Sequence, residues 1–236
     1  TAFLAHPPLE QVVAKTYEAG GRGDWGGGAW HAGVFRTTND DDILFISAGA
    51  LSHEGFFDNV GDTRRDGFEA NLTGAAGERI TWSLDYTYLD ATFRESFAVM
   101  SPNHPEAVAG EIAVESGDRL PLIPQQLLQA GVRFAATDAL TFGADVMASS
   151  GAVFLGDEGN LLDELDAYSV VGVRAEYRFS ERASVFASID NLFDEEYETF
   201  GLFGQAAEVL GAEFDKPYFV GPGAPRAAWV GFRIEL

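Results

Sequence analysis

Histidines and paired carboxylates are the side chains of this chain whose spacing could support chemistry. His53 is followed directly by Glu54, and His104 lies two residues before Glu106. Neither pair has the ligand spacing of a protein zinc site, in which several histidines or cysteines recur a few residues apart. The sequence therefore predicts no metal site, and we interpret both histidines as exposed loop residues.

Acidic side chains crowd one segment of the second half of the chain. They are Asp157, Glu158, Asp163, Glu164 and Asp166. Calcium is bound by clusters of oxygen ligands, but the glycine-bearing twelve-residue calcium loop is absent here. We therefore interpret the segment as a solvated acidic loop.

No constellation of catalytic residues is recognisable. Ser52, His53 and Asp58 lie close together in the sequence, but no nucleophile elbow or oxyanion motif accompanies them. The triplet Gly26-Gly27-Gly28 lacks the lysine that follows a phosphate-binding loop. Because the chain has 37 acidic side chains, paired carboxylates are expected by chance. We predict no catalytic residue and no enzyme.

Charge and composition exclude further classes of protein. The formal net charge is −22, so no basic patch is available to displace counterions from nucleic acid, and we predict no nucleic-acid partner. There is no cysteine, which excludes disulfides and thiolate metal sites. No run of about 18 apolar residues encodes a membrane-spanning helix. The 27 glycines and 13% aromatic residues favour strands and turns.

Apolar residues alternate with small or polar residues in several segments, which is the pattern of a strand with two different faces. One such set is Ile80, Trp82, Leu84, Tyr86 and Tyr88. The same period recurs in 128–134, 140–146 and 171–179. Each of these segments therefore predicts a strand with one apolar face.

The connections between these segments alternate in length. Short connections are expected at 20–28, 75–79, 136–139 and 180–182, and long ones at 47–61, 94–124, 151–166 and 203–223. The predicted strands are 10–22, 28–46, 62–75, 79–93, 124–136, 139–150, 167–179, 183–202 and 224–236. Alternating short turns and long loops are typical of outer-membrane barrels. We predict an all-β fold, a transmembrane antiparallel β-barrel. Because such barrels have even strand numbers and nine strands are predicted here, we expect this chain to be a fragment.

Five segments resemble the TonB-dependent receptors, in the order in which that family carries them. They are Glu18-Ala19-Gly20, Thr63-Arg64-Arg65-Asp66-Gly67-Phe68-Glu69, Asp118-Arg119-Leu120-Pro121-Leu122-Ile123-Pro124, Ile189-Asp190-Asn191-Leu192-Phe193-Asp194-Glu195-Glu196-Tyr197, and Gly221-Pro222-Gly223-Ala224-Pro225-Arg226 with the following Trp229-Val230-Gly231-Phe232-Arg233. The residues that carry the last two motifs are Asn191, Leu192, Phe193, Asp194, Tyr197, Pro225 and Arg226. The five matches together span most of the chain.

The resemblance implies a fold and a function. The family fold is a 22-stranded barrel closed by an N-terminal plug, of which residues 1–236 would form about the last nine strands, without the plug and the first strands. It implies an outer-membrane receptor of a Gram-negative cell that takes up a scarce nutrient. The resemblance is nearest to receptors for ferric siderophores or similar iron complexes, and cobalamin or a carbohydrate remains open as the ligand. Outer-membrane lipid and the TonB complex, reached through the absent N-terminal part, are the implied partners, and no cofactor is implied.

Four residues are candidates for contact with that small-molecule ligand. Phe56 and Phe57 are aromatic residues in an expected extracellular loop, where they could equally pack on a plug or a neighbouring loop. Arg64 and Arg65 could hold an anionic ligand, although we favour pairing with acids of the barrel interior such as Glu69. His53 and His104 could also contact a ferric ligand.

Two further features are interpreted with the family in view. Asn191 and Asp194 interrupt an alternating strand, either as a bulge or as a plain turn, and the rhythm of the connections favours the bulge. The final strand places Val230, Phe232, Ile234 and Leu236 on one face, and in the family this pattern is the signal for barrel assembly. The family's usual terminal phenylalanine is replaced here by Leu236.

The alternative fold is a soluble secreted β-sandwich that binds or cleaves carbohydrate. In a sandwich the apolar face of each sheet is covered by a second sheet, whereas a barrel exposes an apolar stripe to lipid around every strand. If the barrel interpretation holds, an open sheet of nine strands has two unpaired edges, which lipid does not tolerate. We therefore predict that the chain alone does not insert as a stable monomer.

Overall fold

The computed structural model describes residues 8–47, 55–204, 207, 211, 213 and 216–234, and these form an all-β structure built on a nine-stranded antiparallel sheet. The strands of this sheet are β1 (Val13–Trp25), β2 (Gly28–Asp40), β5 (Thr63–Ala76), β6 (Ile80–Phe93), β9 (Gln126–Ala135), β10 (Leu140–Ser149), β11 (Tyr168–Ser180), β12 (Ala183–Asp190) and β15 (Ala227–Ile234). They pair in chain order, with β1 and β15 at the two edges. The all-β antiparallel prediction is confirmed.

Three small hairpins project from the ends of the long strands. They are β3 (Ile43–Ser47) with β4 (Gly55–Asn59), β7 (Phe97–Met100) with β8 (Glu111–Val114), and β13 (Glu198–Phe203) with β14 (Tyr218–Pro222). Each hairpin lies within a long connection, and all long connections leave the same end of the sheet, which we call the loop end. The opposite end, with short turns such as Gly26-Gly27, is called the turn end. The predicted alternation of short and long connections is confirmed.

Two predicted strands are too long. The strand predicted at 28–46 ends at Asp40, because Asp41 takes a left-handed backbone conformation (φ 56°) and the chain turns out of the sheet into β3. The strand predicted at 183–202 ends at Asp190, where Asn191 (φ 51°) does the same. Aspartate and asparagine adopt this conformation more readily than most residues, and a pattern of apolar residues does not record it.

The two faces of the sheet differ in chemistry, as the alternation predicts. One row across five strands consists of Leu72, Leu84, Ala130, Val146 and Val171, which are aligned in register. The neighbouring row on the other face consists of Thr73, Ser83, Gly131, Asp145 and Gly172. We call these the apolar face and the polar face.

The apolar face has no second layer over it in the part of the chain that the structure describes. Val132 is 43% exposed, Phe142 45% and Phe232 75%. A soluble sandwich requires a covering sheet over such a face, so the alternative fold of a β-sandwich is wrong. Among the described residues no helix is long and apolar enough to cross a membrane.

Buried hydrophobic residues lie at the loop end rather than within the sheet. One cluster joins β3, the end of β6 and the β7–β8 hairpin through Ile46, Phe93, Val99 and Ile112. A second cluster joins the connection before β11 to the β13–β14 hairpin through Phe154, Leu165 and Phe203. The long connections therefore form a packed layer, which we call the loop layer.

Candidate functional site

A buried histidine–aspartate pair joins two long connections of the loop layer. His104 Nε2 lies 3.0 Å from Asp157 Oδ1, and the side chains are 0% and 1% exposed. The His104 ring also packs edge-on against Phe203 of β13, with 4.9 Å between ring centres. The prediction that His104 is an exposed loop residue is wrong, since three connections meet around it.

Hydrogen bonds define the tautomer of this histidine. The Glu106 amide donates to His104 Nδ1 at 3.0 Å, so the ring proton is on Nε2, which donates to Asp157. Asp157 accepts two more hydrogen bonds, from the amides of Leu161 (2.8 Å) and Leu162 (3.1 Å). Asp157 is therefore a structural anchor inside its loop, and its interpretation as a solvated acidic residue is wrong.

The adjacent Glu158 is also buried, at 5% exposure, rather than solvated. Burial raises the pKa of its carboxyl group to about 7, the negative charge of Asp157 adds to the rise, and the hydrogen bond from the Gly156 amide opposes it. The remaining acids of the segment, Asp163, Glu164 and Asp166, are exposed as expected. The raised pKa of the Glu158 carboxyl group makes this junction sensitive to pH.

Phe56 and Phe57 lie on β4 rather than in a loop. Phe56 packs against the first hydrophobic cluster, whereas Phe57 is 47% exposed and contacts the Phe45 ring edge-on at 5.6 Å between centres. Alternation along a strand places the two rings on opposite sides. Of the two, Phe57 is the one that presents a ring to solvent.

Arg64 and Arg65 point to opposite faces of β5. Arg64 is on the apolar face near the loop end and pairs with Asp66 at 3.0 Å, whereas Arg65 is on the polar face and pairs with Asp42 at 3.1 Å. The two side chains cannot grip one anion together. Both arginines pair with acids, but the predicted pairing with acids of the barrel interior is wrong for Arg64, whose partner Asp66 lies on the apolar face, and Glu69 is the partner of neither.

Asp42 is the centre of a small polar cluster at the loop end. It accepts hydrogen bonds from Asn39, Thr63 and Arg65. Burial tends to raise the pKa of Asp42, but these hydrogen bonds and the charge of Arg65 outweigh it, and the pKa is lowered. The cluster fixes the point at which β2 leaves the sheet for the β3–β4 hairpin.

Asn191 connects two segments of the family motifs. Its side chain is 3% exposed, and its amide group donates to the carbonyl oxygens of Glu195 (2.9 Å) and Ala224 (3.1 Å). Its side-chain oxygen accepts from the Glu195 amide at 2.8 Å. All hydrogen-bonding groups of this side chain are therefore used to hold the exit of β12 against the entry of β15.

Residues 192–194 form an insertion in the strand. Asp190 pairs with Ala227 before the interruption and Glu198 pairs with Pro222 after it, so the register differs by three residues. A turn closes within it, with the Asp194 amide donating to the Asn191 carbonyl at 3.0 Å, but the chain does not reverse. The feature is larger than the predicted bulge, and it is not the plain reversing turn either.

The rest of the motif surrounds this insertion. The carboxylate of Asp194 (φ 58°) accepts two hydrogen bonds from Arg226, one from its backbone amide and one from its guanidinium group, each at 3.2 Å. Tyr197 packs on Tyr168 of β11, with 4.5 Å between ring centres, and its ring lies where a Cβ atom of Gly223 would be.

Phe193 is 74% exposed. Pro225 lies between the two points held by Asn191 and Asp194, and Leu192 donates its amide to the Val171 carbonyl at 2.8 Å.

A cavity of about 1170 Å³ lies beside the motif at the loop end. Its acidic lining residues are Asp166, Asp194, Glu195, Glu196 and Glu198. Tyr168 and Tyr197 supply an aromatic wall, and none of the described residues that line the cavity is an arginine or a lysine. The volume is large enough for a metal chelate of small-molecule size. The negative lining favours ligands that are neutral or positively charged.

The remaining candidate residues are placed as follows. Val230 (74% exposed), Phe232 (75%) and Ile234 (72%) project from the apolar face of β15, while Leu236, His53 and Glu54 lie outside the described residues. Among the residues that the structure describes, no group of three or more histidines and carboxylates is placed to hold a metal ion.

Sequence reasoning missed the buried junction of His104, Asp157 and Glu158. The sequence does carry one signal for it, since Pro102 and Pro105 flank His104 and restrict that loop to compact turns. Nothing local indicates that His104 meets a carboxylate 53 residues away.

Comparison with known proteins gives the family. Residues 1–192 match the family model of the TonB dependent receptor-like β-barrel. The probable TonB-dependent siderophore receptor PiuA of Acinetobacter baumannii is 26% identical over 196 residues, which are 81% of this chain and 24% of PiuA. The ferric-pyoverdine M114 receptor PbuA of Pseudomonas sp. (strain M114) is 27% identical over 209 residues, 83% of this chain and 23% of PbuA. The chain thus spans about a quarter of the length of these relatives.

Solved structures share the fold. The crystal structure of PiuA superposes with a TM-score of 0.67 at 21% identity, over 93% of this chain and 28% of PiuA. The copper transporter OprC superposes with a TM-score of 0.70 at 15% identity, over 96% of this chain and 32% of OprC. Because the family model matches residues 1–192, most of this chain, the chain belongs to the TonB-dependent receptors, as part of their β-barrel.

Proposed function

We propose that this chain is part of the barrel of an outer-membrane receptor that imports a ferric siderophore or a similar iron complex with energy from the TonB complex. The family consists of receptors and transporters rather than enzymes, and its members are outer-membrane proteins of Gram-negative bacteria. The observation that carries the proposal is the family match over residues 1–192 together with siderophore receptors as relatives.

The surface of the sheet supports a place in lipid. An uncovered apolar face is stable when hydrocarbon covers it, and the apolar residues Val132, Phe142 and Phe232 lie on that one face. The polar face would then line the interior of the barrel. The proposed partners are outer-membrane lipid, the iron complex and, through segments outside this chain, the TonB complex.

The place of the chain within the receptor is also proposed. Residues 1–236 would form about the last nine strands of a 22-stranded plugged barrel, with β1 and β15 pairing with strands that other residues supply. Both edges carry unpaired backbone groups in the described sheet, and lipid does not tolerate such edges. In the same scheme Val230, Phe232, Ile234 and Leu236 form the signal for barrel assembly.

The ligand would be held at the loop end. The acidic cavity beside Tyr168 and Tyr197 has the volume for a chelate. Phe57 presents an exposed ring and Arg65 a partly exposed guanidinium group on the polar face, and these are the better placed of the four candidate contacts. Phe56 and Arg64 would act through packing and through the Asp66 ion pair.

Uptake of radioactive iron tests the function. The complete reading frame is expressed in a Gram-negative strain that lacks its own siderophore receptors, and iron uptake is measured with a panel of ferric siderophores, with and without a functional TonB. We expect uptake of at least one complex that stops when TonB is removed. If no complex is taken up beyond the level of the empty vector, while the protein is folded in the outer membrane, the proposed function is wrong.

A further inference from the structure

Three side chains on the polar face form an aligned row at the turn end. Arg178 of β11 faces Ser184 of β12, and Ser184 faces Arg233 of β15. Residues that face each other in antiparallel strands project to the same side of the sheet. Two guanidinium groups therefore flank one hydroxyl group, far from the loop end where the iron complex is proposed to bind.

Ser184 is the least expected member of this row. Its side chain is only 6% exposed, and its hydroxyl group has no hydrogen-bond partner among the described residues. The residue lines a cavity of about 310 Å³ together with both arginines. The hydroxyl oxygen is not one of the buried side-chain atoms that lack a partner, so it is open to the cavity and available to a group bound there.

The charge around the cavity is opposite to that of the chain. Arg133 and Arg182 also line it, so four arginines face two glutamates, Glu176 and Glu181, in a chain whose net charge is −22. Glu176 lies 3.5 Å from Arg233, which is long for an ion pair. Arg133, Arg178 and Arg182 have no carboxylate partner within ion-pair distance among the described residues.

The local backbone supports the arrangement. The register of β11 and β12 shifts by one residue between Arg178 and Ser180, which is a bulge beside the turn. Bulges redirect side chains and recur beside binding sites. Ser180 adds a second hydroxyl group to the lining, and its oxygen accepts the Arg182 amide at 3.3 Å, which leaves its own proton available for donation.

We propose that this cavity is an oxyanion-binding site for a phosphate or carboxylate group. Guanidinium groups match the geometry of these anions and can bind two of their oxygens at once. The hydroxyl group between the two arginines can donate one further hydrogen bond to the anion. The anion is either a free inorganic ion or a side-chain carboxylate of an acidic peptide lying along the polar face. The chemistry of recognition is the same for both sources.

Thermal unfolding of the complete receptor in detergent tests the site. The unfolding temperature is measured during titration with inorganic phosphate and, separately, with a hexaglutamate peptide, at constant ionic strength set by sodium chloride. We expect a saturable rise with at least one of the two, because a ligand that binds only the folded state stabilises it. A rise with phosphate alone identifies a free anion as the source, and a rise with the peptide alone identifies an acidic segment.

Variants assign the response to the cavity. Arg178→Gln with Arg233→Gln should weaken binding by about tenfold or more, and Ser184→Ala by a few fold. Arg178→Lys with Arg233→Lys keeps the positive charge and is used if the double glutamine variant does not fold. We expect it to weaken binding by a few fold, because lysine lacks the planar, two-pronged donor geometry of arginine. The control is Arg79→Gln, since Arg79 is also at the turn end but donates to the Ala136 carbonyl at 2.7 Å and does not line the cavity.

Two results would overturn the site. One is the absence of a saturable response to both phosphate and hexaglutamate in the wild-type protein. The other is an equal loss of response in the Arg79→Gln control, which would mean that general positive charge rather than the cavity attracts the anion. Neither result bears on iron uptake, so the failure of this inference is distinguishable from the failure of the proposed function.

Discussion

His104 and Asp157 are 53 residues apart in the chain and are joined by a hydrogen bond of 3.0 Å inside the loop layer, where neither side chain reaches solvent. The pair ties the β7–β8 region to the connection before β11. Loss of Asp157 would leave the buried His104 Nε2 without this partner, whereas loss of His104 would leave Asp157 Oδ1 with the hydrogen bond from the Leu161 amide alone.

Replacement of the histidine should loosen two connections at once. We expect His104→Ala to reduce the local stability of the loop layer by about 3 kcal/mol, through the lost hydrogen bond to a carboxylate and the lost contact with Phe203. Hydrogen exchange should show faster exchange in residues 94–124 and 150–166. His31→Ala is the control, because His31 is exposed on the polar face; unchanged exchange in His104→Ala would contradict the anchoring role.

Glu158 should make the stability of the loop layer depend on pH. Its pKa is raised to about 7 from an ordinary value of 4.5. Between these values the folded protein holds a proton that the opened loop has lost, so stability is highest below 4.5, falls as the pH rises to about 7 and is then constant. The total change is on the order of 3 kcal/mol.

Limited proteolysis of residues 150–166 across pH 4.5 to 8 measures this effect. Cleavage should accelerate as the pH rises, and Glu158→Gln should make the rate nearly independent of pH in this range. Asp163→Asn is the matched control, since Asp163 is an exposed acid of the same connection. A wild-type rate that does not change with pH would show that Glu158 is not protonated in the folded state.

Asn191 should contribute both side-chain hydrogen bonds and backbone conformation. Asn191→Gly keeps the left-handed backbone (φ 51°) but loses the bonds to Glu195 and Ala224, and should cost about 2 kcal/mol. Asn191→Ala loses both and should cost about 1 kcal/mol more. Urea unfolding of the complete receptor, followed by the heat-modifiable migration of the barrel on gels, measures both. Equal stability of the two variants would show that the left-handed backbone conformation at Asn191 contributes nothing to stability.

The acidic cavity should discriminate between iron complexes by charge. We expect Glu195→Gln with Glu196→Gln to increase the affinity for negatively charged ferric complexes by a few fold and to leave neutral complexes unchanged, because repulsion from the lining is reduced. Uptake competition at low ionic strength measures the difference. Glu78→Gln, in a short turn at the opposite end, should have no effect on either class.

The apolar face of β15 should be intolerant of charge. Phe232→Arg should lower the amount of assembled barrel and destabilise it by about 2 kcal/mol, because the side chain would enter lipid. Ser188→Arg, on the polar face of β12, is the control and should assemble normally. Equal assembly of the two variants would mean that Phe232 does not face lipid.

The strand pattern, the order of connections and the family motifs follow from local sequence. Alternation of large apolar and small polar residues, as in Ile80 to Tyr88, determines which side chains share a face, since the period of a strand is two. The same rule, applied to the neighbours Arg64 and Arg65, already implies opposite faces, so a joint anion clamp was excluded by the sequence itself.

Only the tertiary structure decided which distant groups meet. The apolar pattern does not indicate that Asp41 and Asn191 leave the sheet, because left-handed backbone at these residues depends on the hydrogen bonds around them. It does not indicate the burial of His104, Asp157 and Glu158 either. Burial of a polar side chain is set by the packing of three connections that are far apart in the chain, and the energy of a charge depends on the partners it finds there.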